Sequence, residues 1–291
     1  KQNLAPQELG KGRNVWYCMG YILSVGKAEA VALHDCDIVT YSRSLLARLV
    51  YPVANPKFNF DFCKGYYPRV SENKVKGRVA RLLVTPLLRA LEKTIGFNEF
   101  ISFVDSFRYP LAGEFSFRRR VLKDIRIPYD WGLEIGVLSE MYRNYAGNRL
   151  CQVDIADNYD HKHQDIFFND NSKGLSKMSV DIIKVIIRKL ASQGEPFSMS
   201  IFRSLKATYY REALDFVQIY KKDALMNAYD IDVHEEETAV ELFAKNIMVA
   251  GQTFLDSPME SPNIPTWSRV DTALPGFLND LRKAVELDNK S

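Results

Sequence analysis

The sequence lacks several features that would assign it to a membrane or secreted class. Its 291 residues contain no apolar run of about 18 residues, the minimum for a helix that spans a bilayer. Residues 1–13 are polar and have no apolar centre, so they do not resemble a secretory signal peptide. The four cysteines are scattered without a C-x-x-C pair, which is typical of reduced thiols. We therefore predict a cytoplasmic protein with no membrane partner.

A large excess of charge of one sign is also absent. The sequence has 39 Lys and Arg residues against 36 Asp and Glu residues, for a formal net charge of +3 at pH 7. The basic run Arg118-Arg119-Arg120 is more typical of a solvated helix face than of a phosphate-binding patch. Nucleic-acid binders carry a far larger basic excess, so we predict no nucleic-acid partner. The hydrophobic fraction of 46% is ordinary for a globular chain of one large or two smaller domains.

The spacing of apolar residues divides the chain into two parts. In the first part, short apolar runs that predict strands alternate with patterns of helical period. The predicted strands are 30–33, 60–67 and 151–155, and the predicted helices include 11–24 and 78–91, the latter kinked or restarted at Pro86. After about residue 173 only helical patterns follow, at 178–193, 198–220, 235–250 and 273–287. This order predicts an α/β catalytic domain at 1–172 and a helical domain at 173–291.

Two carboxylates follow the first predicted strand directly. The strand 30–33 runs into His34-Asp35-Cys36-Asp37, and ligands of open α/β sheets gather at the carboxyl ends of strands. Carboxylate oxygens beside an imidazole suit Mg²⁺ or Mn²⁺, which bind through one or two carboxylates together with substrate phosphates. Capping of a structural turn is the alternative for a D-x-D pattern at this point.

A second polar cluster, 160–165, follows the predicted strand 151–155 and contains half of the four histidines. In an extended chain the side chains of His161 and His163 share one face, so they would not easily serve different sites. In the functional interpretation, one of these histidines binds a metal ion and the other serves as a phosphate or hydroxyl donor. A polar loop with solvated histidines is the structural alternative.

Four further patterns combine glycine with a charged side chain. Gly10-Lys11-Gly12 and Gly77-Arg78 each open a predicted helix, where backbone N–H groups and the adjacent cation favour an anion. Glu114 and Glu134 each stand beside a glycine and an apolar wall. Either carboxylate could accept hydrogen bonds from sugar hydroxyls, or balance a helix dipole instead.

Taken in order, these patterns resemble the glucosyl-3-phosphoglycerate synthases, a family that also includes mannosyl-3-phosphoglycerate synthases of the same architecture. The matching motifs extend over about residues 10–165 and are Gly10-Lys11-Gly12, Asp35-Cys36-Asp37, Lys64-Gly65-Tyr66-Tyr67, Gly77-Arg78-Val79, Pro86-Leu87-Leu88, Pro110-Leu111-Ala112-Gly113-Glu114, Gly132-Leu133-Glu134-Ile135-Gly136 and Asp160-His161. The resemblance implies a GT-A glycosyltransferase core, which is a Rossmann-like α/β fold, with a helical C-terminal extension.

The resemblance also implies the reaction. It is the transfer of glucose from a nucleotide diphosphate sugar to 3-phosphoglycerate, with retention at the anomeric carbon. The product would be glucosyl-3-phosphoglycerate, for compatible-solute synthesis. Transfer of mannose, or direct glucosylation of glycerate, are the alternatives within this class of enzyme.

The roles of individual residues follow from the same resemblance. Asp37 and His161 would bind Mg²⁺ or Mn²⁺, and with Glu134 they would form the catalytic set. The donor-binding residues would be Lys11, Asp35, Cys36, Leu111, Gly113 and Glu134. The acceptor-binding residues would be Gly77, Arg78, Val79 and His163.

The sequence departs from the family pattern in two places. Only nine residues precede Gly10, where family members carry strands and helices that bind the nucleotide base. We therefore expect the first strands of the core to be missing from this chain. Ala80 and Thr85 stand where family members often have a hydroxyl residue and an arginine. Both positions belong to the expected acceptor site rather than the donor site.

The residues alone leave two alternatives to a transferase. Paired Asp and His clusters could activate water on a phosphoester, as in a metal-dependent phosphohydrolase. The helical part could also serve a non-catalytic interaction protein, through an apolar stripe that otherwise belongs to the core. This stripe consists of Phe202, Leu205, Tyr209, Leu214 and Phe216. We expect a homodimer, which would be compatible with catalysis.

Overall fold

A four-stranded mixed sheet organises the first part of the chain. The computed structural model of the protein describes residues 9–160, 174–258 and 263–290. The strands are β1 (Ala30–Leu33), β2 (Phe62–Tyr66), β3 (Val70–Ser71), β4 (Lys74–Val75), β5 (Phe115–Arg118) and β6 (Leu150–Asp154). The sheet has the order β1-β5-β2-β6, in which β5 is antiparallel to β1 and β2, and β6 is parallel to β2. The short strands β3 and β4 form a separate hairpin.

Strand β5 alternates between an aromatic face and a polar one. Phe115 and Phe117 pack against Phe62 of β2, with ring centroids 6.2 and 5.4 Å away. Ser116 points to the opposite face and donates to the backbone carbonyl of Leu49 at 2.7 Å. The sequence analysis predicts no strand here, because four residues are too few for a period of two to stand out.

Helices flank the sheet and make up the second part of the chain. Those in the described ranges are α1 (Lys11–Val25), α2 (Arg43–Ala54), α3 (Thr85–Ile95), α4 (Glu99–Asp105), α5 (Val121–Asp124), α6 (Leu133–Asn144), α7 (Gly174–Ala191), α8 (Met199–Met226), α9 (Val233–Asp256), α10 (Trp267–Ala273) and α11 (Phe277–Asp288). The predicted restart near Pro86 is confirmed, since a π-helical turn, Val79–Val84, leads directly into α3. Thr85 donates to the carbonyl of Ala80 across this wide turn, at 3.2 Å. None of the described helices combines the length and hydropathy needed to cross a bilayer.

The apolar stripe of α8 belongs largely to the core. Phe202, Leu205 and Tyr209 are fully buried among α3, α8 and α9. The hydroxyl of Tyr209 donates to the carbonyl of Leu82 in the π-helical turn, at 2.6 Å. The same hydrophobic core therefore contains residues from both parts of the chain. The boundary expected between residues 172 and 173 lies outside the described residues.

Helix α10 packs on α1 through two stacked indole rings. The rings of Trp16 and Trp267 lie 4.1 Å apart, at an interplanar angle of 19°. Each indole N–H donates to a backbone carbonyl beside the other ring, that of Pro265 at 2.9 Å and that of Trp16 at 3.0 Å. A methyl group at Gly20 would lie 2.1 Å from the ring of Trp267, so glycine at this position permits the contact.

Candidate active site

One cavity of about 670 Å³ opens at the edge of the sheet where β1 ends and β5 begins. The first turns of α1 and α6 and the π-helical turn contribute to its wall. Predicted donor, acceptor and metal-binding residues line it together: Lys11, Asp35, Cys36, Asp37, Gly77, Arg78, Val79, Leu111, Gly113 and Glu134. Ligands of α/β sheets bind at such strand ends. The structure thus brings the expected donor and acceptor motifs to one site.

Lys11 connects two carboxylates on the cavity wall. Its Nζ lies 2.6 Å from Oδ1 of Asp35 and 2.7 Å from Oε1 of Glu134. Burial opposes the charged ammonium, but these two carboxylates outweigh that effect and raise the pKa of Lys11. The lysine is therefore a permanent cation at neutral pH.

The glycines on either side of Lys11 are required by the protein's own backbone. A methyl group at Gly10 would lie 2.1 Å from the carbonyl oxygen of Tyr129, and one at Gly12 would lie 1.8 Å from that of Pro128. The contact with 128–129 fixes the start of α1, so these glycines position the lysine.

Gly113 leaves room for the side chain of Asp35. A methyl group at Gly113 would lie 2.4 Å from Oδ2 of Asp35. The backbone N–H of Asp35 donates to Oε1 of Glu114 at 3.4 Å. The carboxylate of Asp35 thus packs against Gly113, and its backbone contacts Glu114, in the segment that precedes β5.

Glu114 is a structural carboxylate rather than a ligand for sugar hydroxyls. It is fully buried and accepts hydrogen bonds from the hydroxyls of Tyr67 and Tyr159, both at 2.7 Å. These two rings stack with their centroids 3.5 Å apart. Burial, followed by the nearby charge of Asp35, raises the pKa of Glu114. Neither interpretation from the sequence, a contact to sugar hydroxyls or the balance of a helix dipole, applies to Glu114.

Glu134 fits both of its interpretations. It lies in the first turn of α6, where a carboxylate is favoured by the helix dipole. It also lines the cavity and pairs with Lys11. Its neighbour Asp130 accepts from the N–H of Gly132 at 2.9 Å, which fixes the turn that leads into the helix.

Lys64 belongs to one of the matching motifs, but the sequence analysis assigns it no role. It is only 1% exposed in the middle of β2, and its ammonium donates to the carbonyl of Ala112. The ammonium also lies 5.1 Å from the ring centroid of Phe115. Burial lowers the pKa of Lys64 to about 8, although the charges of Glu134 and Glu114 favour the ammonium. A lysine among the buried residues of a strand is the signal that could have identified it.

The guanidinium of Arg78 contacts the helical part of the protein. It donates to Oε1 of Glu236 at 3.0 Å and to Oε2 of Glu235 at 2.8 Å. Arg81 donates to both oxygens of Glu236, at 2.7 and 3.2 Å. Glu236 is 2% exposed, so this is a buried carboxylate shared by two arginines. The expected acceptor residue is therefore supported by the start of α9.

Comparison with known proteins gives relatives over nearly the whole chain. The glucosyl-3-phosphoglycerate synthase of Persephonella marina is 48% identical over 280 residues, which are 96% of this chain and 69% of that protein. The enzyme of the same name from Methanococcoides burtonii is 39% identical over 284 residues, 97% of this chain and 69% of that protein. The chain belongs to the glucosyl-3-phosphoglycerate synthase family. No protein-family model matches the sequence.

Solved structures of similar proteins were also found. The Mycobacterium tuberculosis glucosyl-3-phosphoglycerate synthase in complex with Mn²⁺, UDP-glucose and phosphoglyceric acid has a TM-score of 0.48 at 23% identity, covering 66% of this chain and 58% of that one. The mannosyl-3-phosphoglycerate synthase of Rubrobacter xylanophilus has a TM-score of 0.49 at 24% identity, covering 65% and 53%.

Membership of the glucosyl-3-phosphoglycerate synthase family confirms the prediction made from the motifs. The α/β core with a helical C-terminal part agrees with the fold class that the resemblance implies. The family favours sugar transfer over both the phosphohydrolase and the non-catalytic alternative.

Only one of the two expected metal ligands lies in the described part of the chain. Asp37 lines the cavity beside Asp35, and carboxylate oxygens are suitable ligands for Mg²⁺ or Mn²⁺. The second expected ligand, His161, and the expected acceptor residue His163 lie outside the described residues. Within the described ranges, no three His, Cys, Asp or Glu side chains are grouped as a metal site.

Proposed function

We propose that this protein transfers glucose from a nucleotide diphosphate donor to 3-phosphoglycerate, with retention at the anomeric carbon. The observation that carries the proposal is the shared cavity, in which Lys11, Asp35 and Glu134 face the same space as Gly77 and Arg78. Its relatives at 48% and 39% identity are named for the same product.

The donor side of the proposed site is formed by three charged groups, in which Lys11 contacts both carboxylates. The Lys11 ammonium would contact the nucleotide part of the donor, and Asp35 would accept hydrogen bonds from the ribose or the sugar. Glu134 would accept from the sugar hydroxyls, since this residue lines the cavity and is 5% exposed. Cys36, Leu111 and Gly113 would complete the donor wall.

The acceptor side would be formed by Gly77, Arg78 and Val79, with His163 as a further contact. These three residues lead into the π-helical turn, and Arg78 is oriented by carboxylates of α9. A guanidinium suits both the phosphate and the carboxylate of 3-phosphoglycerate. The substrate hydroxyl would then face the donor side across the cavity.

Asp37 and His161 would hold Mg²⁺ or Mn²⁺. When bound, the ion would act as a Lewis acid that stabilises the charge on the departing diphosphate. For retention, we propose that the acceptor hydroxyl attacks from the face that the diphosphate leaves and gives its proton to a departing phosphate oxygen. No covalent intermediate on Glu134 is required.

The test is a screen of nucleotide diphosphate sugars with 3-phosphoglycerate and with glycerate, in the presence of Mg²⁺ or Mn²⁺. We expect glucose transfer to 3-phosphoglycerate, with the anomeric configuration of the donor preserved in the product by NMR. An inverted product, or a glycosyl adduct trapped on Glu134, would contradict the proposed chemistry. Light scattering of the same preparation tests the proposed homodimer.

A further inference from the structure

The side-chain cations on the cavity wall are not all neutralised. Lys11 pairs with Asp35 and Glu134, as described above. Arg78 pairs with Glu235 and Glu236. Arg69 and Lys76 also line the cavity, and within the described ranges no carboxylate lies within ion-pair distance of either. These two cations are available to an anionic ligand.

Arg69 is held in place by aromatic rings. Its guanidinium carbon lies 5.9 Å from the ring centroid of Tyr109 and 5.9 Å from that of Tyr159. Its Nε is buried and has no hydrogen-bond acceptor in the described parts of the chain. A buried donor without an acceptor destabilises a protein, and an anion that accepts from it would remove that cost. The side chain is thus orientated before the ligand binds.

Arg69 is also in contact with the acceptor motif. Gly77 has a φ of +74°, and a methyl group on it would lie 3.2 Å from Cγ of Arg69. The N–H of Lys76 donates to the backbone carbonyl of Arg69 at 2.7 Å. Arg69 and Gly77 further line an adjoining cavity of about 430 Å³. The arginine therefore lies beside the expected acceptor motif, on the walls of both cavities.

We propose that Arg69 binds the phosphate group of the acceptor and sets its preference for a phosphorylated substrate, with Lys76 supplying a second positive charge. This inference rests on the proposed function. A phosphate monoester is close to a dianion at neutral pH. Arg78 already donates through Nε and Nη2 to two carboxylates, so it contributes little net charge. The two positive charges of Arg69 and Lys76 together balance the two negative charges of the phosphate.

The experiment compares Arg69→Gln with the wild-type full-length protein. The quantities are the KM for 3-phosphoglycerate, the KM for the nucleotide sugar, and the inhibition constant of unphosphorylated glycerate as a competitor of 3-phosphoglycerate. We expect the first to rise by about 10- to 100-fold. The other two should change by less than about threefold, because neither ligand presents the acceptor phosphate. Arg69→Lys keeps the charge but loses the planar fork. Its KM for 3-phosphoglycerate should therefore fall between those of wild type and Arg69→Gln.

Arg108→Gln is the matched control. Arg108 also lines the adjoining cavity and lies over a tyrosine ring, Tyr66, but its Nη1 donates to that tyrosine's hydroxyl at 2.6 Å. The control should keep the wild-type KM for 3-phosphoglycerate. An unchanged KM in both Arg69 variants overturns the inference, and so does an equal loss of glycerate and 3-phosphoglycerate binding. If the wild-type protein transfers no sugar, the proposed function fails and takes the inference with it.

Discussion

The ammonium of Lys11 and the carboxylate of Glu134 lie 2.7 Å apart, although 123 residues separate them in the chain. Each lies in the first turn of its helix, α1 and α6, and both line the same cavity. In the proposed function, the cation of this pair would contact the nucleotide and the carboxylate would contact the sugar. A bound donor would exchange part of this contact for contacts to its own oxygens.

Replacing Lys11 tests this pair. In Lys11→Met the carboxylates of Asp35 and Glu134 lose their shared cation, and the donor loses its ammonium contact. We expect the KM for the nucleotide sugar to rise by about 10- to 100-fold, with a smaller effect on the KM for 3-phosphoglycerate. Lys27→Met removes an exposed lysine just beyond the other end of α1 and should leave both constants unchanged. An unaltered donor KM in Lys11→Met would contradict the donor assignment.

Gly113→Ala should weaken donor binding through Asp35. The added methyl group would lie 2.4 Å from the Asp35 carboxylate, which must then rotate away from Lys11. We expect the donor KM to rise by about tenfold, with less than about 1 kcal/mol lost in unfolding free energy, since a side chain can move more easily than backbone. The control is Gly147→Ala, where the added methyl group meets nothing within 4 Å. Equal kinetics in the two variants would count against the positioning role.

Lys64 should make stability depend on pH at alkaline values. Burial lowers its pKa to about 8 in the folded protein, whereas the unfolded lysine keeps its ordinary pKa of 10.5. Between these values the unfolded state binds more protons, so rising pH stabilises the folded state. The stability of wild type relative to Lys64→Met should therefore grow across this window, by about 3 kcal/mol at most. Urea unfolding of both proteins at the two ends of this pH window measures the difference in stability. Parallel pH profiles of the two proteins would exclude this effect.

Glu236 should be important for stability. Removing its charge in Glu236→Gln leaves buried Arg81 without a carboxylate and takes one partner from Arg78. We expect a loss of about 3 to 5 kcal/mol in unfolding free energy, as for other broken buried pairs. Glu235→Gln is the control, because its side chain is 58% exposed and such pairs contribute about 1 kcal/mol or less. Chemical denaturation that showed the same loss in both variants would be the contrary result.

Asp37→Ala should abolish metal-dependent transfer. The proposed ion would lose a carboxylate ligand at the end of β1, while the pair of Lys11 with Asp35 remains. Turnover measured against Mg²⁺ and Mn²⁺ concentration, with addition and removal of a chelator, would show the loss. Asp157→Ala removes a carboxylate whose side chain is 92% exposed and should behave as wild type. Turnover like that of wild type in Asp37→Ala would remove the metal assignment.

Local pattern was enough to predict much of the fold. The run 30–33 is β1 as predicted, and α1 begins at Lys11 as predicted. Helix α9 begins two residues before the prediction, because Asp232 caps it, and it continues beyond the predicted end to Asp256. The π-helical turn before α3 depends on a wider hydrogen-bond pattern than the helical period can show.

The site was predictable only as far as its motifs extend. The motifs gave Lys11, Asp35 and Glu134, whose shared contact then follows from the fold. They gave no indication of Glu236, which reaches Arg78 across 158 residues of sequence. Lys64 was named within a motif but received no role, because its lowered pKa depends on burial within the sheet rather than on any neighbour in sequence.

The stacked pair of Trp16 and Trp267 also makes the protein its own optical probe. The sequence has three tryptophans, and these two share one buried contact between α1 and α10. Their ultraviolet emission and exciton circular dichroism should therefore report whether α10 stays docked on α1. The third, Trp131, lines the cavity, so its emission is placed to respond to a bound sugar nucleotide. Undocking and ligand binding can thus be followed in the unlabelled protein.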